Sequence, residues 1–182
     1  MRITTSLLAF AAAGLLVGAT LLPQDAAHGM PPMPTASPEH AMLKQRVGTW
    51  DAAFKMKMGP QTIEDKATMT YRMLGEFWVV GDYDGHIMGG PFQGHEMSTY
   101  DPESKQFVSC WIDSTSPMMT ELRGTWDPTS KTLTLKSLQN DPMTGVKTIS
   151  KTVMKDADTI LYTMTPEGAT EATMEITYTR HK

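Results

Sequence analysis

Three side chains in the middle of the chain, His95, Tyr100 and Asp113, are of types that move protons, and Trp111 stands two residues before the last of them. Brought within hydrogen-bond reach of one another, an imidazole, a phenol and a carboxylate would act as general acid and base on a small or lipid-like substrate. The alternation in "FVSCWID" puts Asp113 on the same face as Trp111, so an inward-facing Asp113 would instead orient the polar end of a bound molecule. It also opens the turn-like "DSTSP", which would point it to solvent. No Gly-x-Ser-x-Gly elbow, phosphate loop, dinucleotide fingerprint or thiol pair accompanies these residues.

Metal and haem chemistry have thinner support. His86 and His95 read as loop histidines beside glycines, and one imidazole turned into a barrel could hold haem, but no ligand-spaced His or carboxylate pair flanks either. His28, Met30 and Met33 in "HGMPPM" have the softness of a Cu(I) site on a floppy segment. No cofactor is expected. The sole thiol, Cys110, reads as a small buried hydrophobe. The sixteen methionines are numerous for 182 residues; Met56, Met58, Met69, Met73 and Met174 fall on apolar faces, where flexible thioethers fill a core or adapt to a guest.

The elements that must position these groups are strands. "TWDAAFKMKM" sets Trp50, Ala52, Phe54, Met56 and Met58 against Asp51, Lys55 and Lys57; "IEDKATMTYRML" and "EATMEITYTR" alternate in the same way. Turn chemistry punctuates the chain at Gly59-Pro60, Gly75-Glu76, Asp84-Gly85, "DPES", "DPTS", "DPMTG" and "PEGA". Within residues 89–114, "GGPFQG" reads as a loop, "HEMSTY" as a strand, "DPES" as its turn and "QFVSCWID" as the next strand. About ten strands result, with hairpin-sized connections. One short helix precedes them in "SPEHAMLKQRVG", with Ser37 as N-cap, Pro38 at the first helical position and Gly48 as the stop.

Ahead of the helix, "MRITTSLLAFAAAGLLVGATLL" has one Arg and then an apolar run from Leu7 to Leu22, the pattern of a secretory signal. As a helix that run would span only about 24 Å, short of the ~30 Å hydrocarbon core, so a cleaved signal with no stable membrane span left is the first expectation and an uncleaved anchor the alternative. Residues 1–27 are therefore assigned to the signal, 28–37 to a Pro- and Met-rich linker and 38–182 to one domain, with a periplasmic or secreted location. The net charge of -4 and the scattered Lys and Arg argue against a nucleic-acid partner.

An antiparallel meander of about ten strands leaves two open edges unless it closes on itself. The expected fold is thus all-β, an up-and-down antiparallel barrel, with a two-sheet sandwich as the alternative. Closure makes the first and last strands neighbours, so Arg180 can lie over the indole of Trp50 behind Gly48, a contact worth roughly 0.5 to 2 kcal/mol. Gly48-Thr49-Trp50 with a basic residue on the last strand resembles the lipocalin and wider calycin pattern. "PEHAMLKQRVGTWD", "GGPFQGHEMSTYDPESKQFVSCWIDS", "RGTWDPTSKTLTL" and "MEITYTR" further resemble a bacterial domain-of-unknown-function family, numbered 1579, over residues 38–180. That family usually has Gly-Tyr-Asp where this chain has Thr99-Tyr100-Asp101. The resemblance implies a lipocalin-like barrel and export, and brings no catalytic residue. The resulting expectation is a container for a small apolar molecule, with Trp111, Asp113, Tyr83 and Met56 lining its cavity.

Overall fold

The computed structural model describes residues 33–182 apart from Met143. The expected signal, most of the linker, and His28 and Met30 of the copper reading lie outside the described residues. Helix α1 (Pro38–Lys44) leads into strands β1 (Gly48–Met58), β2 (Gln61–Leu74), β3 (Trp78–Ile87), β4 (Gly90–Asp101) and β5 (Gln106–Asp113). These are followed by β6 (Ser116–Asp127), β7 (Thr132–Ser137), β8 (Thr148–Met154), β9 (Thr159–Pro166) and β10 (Met174–Arg180).

Every strand pairs antiparallel with its sequence neighbours, and β1 also pairs with β10 from Trp50↔Arg180 to Met56↔Met174. The sheet therefore closes as an up-and-down barrel, and the sandwich alternative falls. Period-two alternation decides which side chains fill it. Trp50, Ala52 and Phe54 of β1 are buried between exposed Asp51, Ala53 and Lys55, and Met69 and Tyr71 of β2 repeat the pattern. Removing such side chains from water contributes about 1.5–3 kcal/mol each for the larger apolar ones.

The near-copies "YDPESK" and "WDPTSK" fold identically. Asp101 accepts from the Glu103 N–H (2.9 Å) and Ser104 Oγ (2.6 Å), and Asp127 accepts from the Thr129 N–H (2.9 Å) and Ser130 Oγ (2.6 Å). In both, the following lysine, Lys105 or Lys131, takes a positive φ. These turns lie at the same end of the barrel as α1, the helix end. The tips of β1–β2, β3–β4, β5–β6, β7–β8 and β9–β10 form the far end.

At the helix end, Ser37 donates its N–H to His40 Nδ1 (3.1 Å), so that ring nitrogen carries no proton. The buried His40 ring stands edge-on to Phe77 (5.4 Å) and Tyr100 (5.9 Å) and pins α1 to the barrel rim. Trp50 and Arg180 complete the closure: the guanidinium lies 4.2 Å from the indole centroid and donates to the carbonyls of Val47 (3.1 Å) and Ala157 (3.0 Å). Gly48 has φ +128°, and a Cβ there would come within 2.6 Å of Arg180 Nη1. Only glycine fits both the backbone and the space.

Five sequence expectations need correction. Asp84-Gly85, expected as a turn, lies inside β3, paired with Thr68 and Ala67 of β2 and with Gln93 and Phe92 of β4. "GPFQG" is strand, because Phe92 and Gly94 continue the inward parity of Glu96 and Ser98; the loop is only Met88-Gly89. The helix stops at Lys44 with Gln45 as its C-cap, so Gly48 is not its stop but only the start of β1. His86 and His95 sit in β3 and β4, on the outward parity, and not in a loop. Cys110 is only half-buried: it shares the outer wall with its register partners Met97 and Glu121.

Candidate functional site

The barrel's interior is not uniformly apolar. Arg46 leaves the end of α1, anchored by its carbonyl accepting from Trp50 Nε1 (2.8 Å), and its side chain is 6% exposed. Its guanidinium meets Glu96, midway along β4, as a two-pronged fork: Nη1 to Oε1 and Nη2 to Oε2, both 2.7 Å. Nη2 also donates to the Tyr71 hydroxyl, which donates to Glu96 Oε2 (2.9 Å). Ser98 Oγ (2.6 Å) and Ser109 Oγ (3.4 Å) donate to Oε1.

Tyr71, Gly81 and Glu96 form one rung across β2, β3 and β4. Gly81 leaves room for the phenol to cross: a Cβ there would lie 2.5 Å from Tyr71 Cε1. Burial alone would raise the Glu96 carboxyl, but the Arg46 charge, then the hydrogen bonds from Arg46, Ser98 and Tyr71, outweigh it and hold it at about 2. Burial works against the Arg46 charge too, and Glu96 and Tyr71 more than offset it, so the guanidinium stays protonated. Burial lifts the Tyr71 hydroxyl well above the ordinary phenol range. Arg46 Nε is fully buried with no partner among the described residues, an uncompensated donor costing about 1–3 kcal/mol.

Across from this cluster stands Tyr162 on β9, five strands from β4 in either direction round the ring. It is half-buried beside buried Ser150 and Thr152 of β8. Glu96, enclosed by the barrel wall, likewise keeps 14% of its side-chain surface.

The far end is aromatic. The half-buried Trp111 indole stacks on Phe92 (6.5 Å between centroids, 20° between planes) and meets Tyr83 edge-on at 6.2 Å. It lies over Gly94, where a Cβ would come within 2.2 Å of the ring. Its N–H donates to Asp113 Oδ2 (3.0 Å), while Asp113 Oδ1 accepts from Thr115 N–H (2.9 Å) and Oγ1 (2.7 Å). A register shift against β6 falls between Trp111 and Asp113, a bulge of the kind that re-aims side chains at a barrel rim. Asp113 is thus at once the turn residue and the partner of the indole. Burial, then Asp65, pushes the Tyr83 hydroxyl up to about 12.

The structure brings Trp111, Asp113 and Tyr83 together; Met56 is half-buried on β1 against the core. It does not bring together the three acid-base candidates. His95 points outward and bonds Asp82 (2.7 Å), and Tyr100 packs on Phe107 (5.2 Å) and His40 at the helix end, while Asp113 is at the far end. Parity forbids their convergence, since His95 and Tyr100 are five residues apart in β4 and so face opposite sides of the sheet. A cavity of about 390 Å³ lies at the helix end between Gln45, Trp50, Lys131, Asp156 and Arg180, and none of Trp111, Asp113, Tyr83 or Met56 lines it. Among the described residues no three His, Cys, Asp or Glu cluster as metal ligands.

Sequence reasoning missed Arg46, Glu96 and Tyr71. A signal was present: in "FQGHEMSTY" Glu96 has the parity of Phe92, Gly94, Ser98 and Tyr100, an acid on a buried face that needs a buried cation.

The sequence profile described as "Protein of unknown function (DUF1579)" matches residues 35–180. No curated protein matches the chain. Among solved structures, Rv2717c from M. tuberculosis superposes with a TM-score of 0.60 at 12% identity, over 81% of this chain and 100% of that one. The S-type phycobiliprotein lyase CPES from Guillardia theta gives 0.54 at 10% identity, over 79% and 93%. At such identities both are likenesses of fold.

Proposed function

The chain belongs to the DUF1579 family of proteins of unknown function, and from that premise we propose that its barrel binds one small, largely apolar molecule without transforming it. The observation that carries this reading is the Trp111 wall. An indole fixed by Asp113, backed by Phe92 and given room by Gly94 is a rigid apolar face that the protein leaves half-uncovered. Pockets that hold small molecules are mostly apolar, with a few placed polar groups, and barrel mouths are a common location. Tyr83 and Asp113 supply polar groups at the rim, and Met56 an adaptable contact on another strand. We further propose that the protein works outside the cytoplasm, periplasmic or secreted, which the apolar run from Leu7 to Leu22 supports. N-terminal sequencing of protein from its own host tests export: an intact Met1 on cytoplasmic protein overturns it.

The binding reading is tested by native mass spectrometry of the full chain purified from its own host, together with titration by the neutral fluorophore Nile red. The expected result is an added mass released on denaturation, and Nile red binding that Trp111→Ala weakens. A bare chain mass in every preparation together with no Nile red binding overturns the reading.

A further inference from the structure

Resting on the container reading, we infer that the interior selects an uncharged molecule with a hydrogen-bonding end and rejects carboxylates, because Glu96 already fills the fork of the Arg46 guanidinium. A guanidinium reaching into an apolar barrel would ordinarily be an invitation to an anion, since its planar fork matches a carboxylate. Here both prongs, at 2.7 Å each, are taken by the chain's own carboxylate, and Tyr71, Ser98 and Ser109 complete its shell. A second carboxylate would find the countercharge spent and a like charge facing it, in surroundings that screen poorly.

What remains for a ligand is hydroxyls. Tyr178 on β10 is only 8% exposed, and its hydroxyl bonds to no described residue. It is nevertheless not sealed off, because Arg46 Nε is the only sealed, unpartnered side-chain nitrogen or oxygen among the described residues. Tyr162 lies on the adjoining β9, opposite Ile176, with Ser150 and Thr152 beyond it on β8. Tyr178 stands between Ala52 of β1 and Ile160 of β9 in register, and burial opposes its ionisation. The phenols of Tyr71, Tyr83, Tyr162 and Tyr178 all stay protonated; Tyr71 is committed to Arg46 and Glu96, whereas Tyr178 is left to donate and accept. The ligand class that satisfies such a lining is a neutral alcohol, amide or ester with an apolar body.

The test is a matched pair of probes, decanamide and decanoate, titrated into the full chain near neutral pH and read by tryptophan fluorescence and melting temperature. The expected result is that decanamide binds about tenfold or more tighter than decanoate, a difference of about 1.4 kcal/mol or more. Tyr178→Phe should weaken decanamide severalfold at unchanged melting temperature, since that hydroxyl bonds no other side chain or backbone group among the described residues. Glu96→Ala, which empties the fork, should bind decanoate more tightly than the native chain does and be stabilised by it. If Glu96→Ala does not fold, the native probe pair and Tyr178→Phe decide. Equal affinity of the native chain for both probes, or no effect of Tyr178→Phe, overturns this inference and leaves the container reading standing. Binding of neither probe, with a bare mass from the native host, removes both.

Discussion

The two ends of the barrel are built on opposite plans. At the helix end the closing contacts join residues distant in sequence: Arg180 covers Trp50 and binds the Val47 carbonyl, and Arg46 reaches Glu96. At the far end the anchoring contacts are local, with Trp111, Asp113 and Thr115 bonded within a single hairpin. Long-range contacts hold the ring shut, so damage there is felt by the whole fold. Local contacts shape one wall, so that wall is free to serve a guest.

This contrast can be broken or sharpened experimentally. The largest effect is expected for Arg46→Ala, which strands a buried carboxylate and should cost about 3–5 kcal/mol in denaturant unfolding. A loss within 1 kcal/mol would show that the interior ion pair is not holding the helix end. The same pair sets the acid response. The Glu96 carboxyl lies near 2 in the folded chain against 4.5 when free, so its stabilisation is complete above about 4.5 and is lost as pH falls through about 2. Stability of the native chain should therefore drop through that window, and Glu96→Gln should flatten the drop; an unchanged slope would contradict it.

Gly48→Ala comes next, forcing a Cβ against Arg180 at a φ that L-residues avoid, with an expected loss of about 2–3 kcal/mol. Asp113→Asn at the far end should cost only about 1 kcal/mol, yet reduce Nile red affinity severalfold. A reversed order of Gly48→Ala and Asp113→Asn in thermal melts would erase the distinction between the ends. The smallest effect is expected on the outer wall. Lys55 and Lys57 pair with Glu64 and Glu171 in full solvent, and alanine at either should leave the denaturation midpoint unchanged within error.

The strands were legible because a half-buried strand must alternate, and most hairpins, though not those at Ser114-Thr115 and at residues 155–158, carry an Asp-Pro or Gly signal. "GPFQG" escaped as a loop because glycines and proline usually interrupt strands. Its Gly94 has a role that becomes visible only when Trp111 is placed above it. Arg46 and Glu96 are fifty positions apart, and neither carries a local mark of its partner. His95 and Asp113 looked alike as candidates because residue type says nothing about which face of a strand is inside.

Taken alone, the sequence determined the alternation of the clearest strands, the positions of most turns and a mildly acidic charge balance without basic stripes. Those are short-range properties, set by backbone pleating and turn stereochemistry within a few residues. Only the tertiary structure decided that Glu96 meets Arg46, that Tyr178 is left with an open hydroxyl and that the acid-base candidates part company. Such pairings depend on the register and closure of ten strands, which bring together groups that no local rule connects.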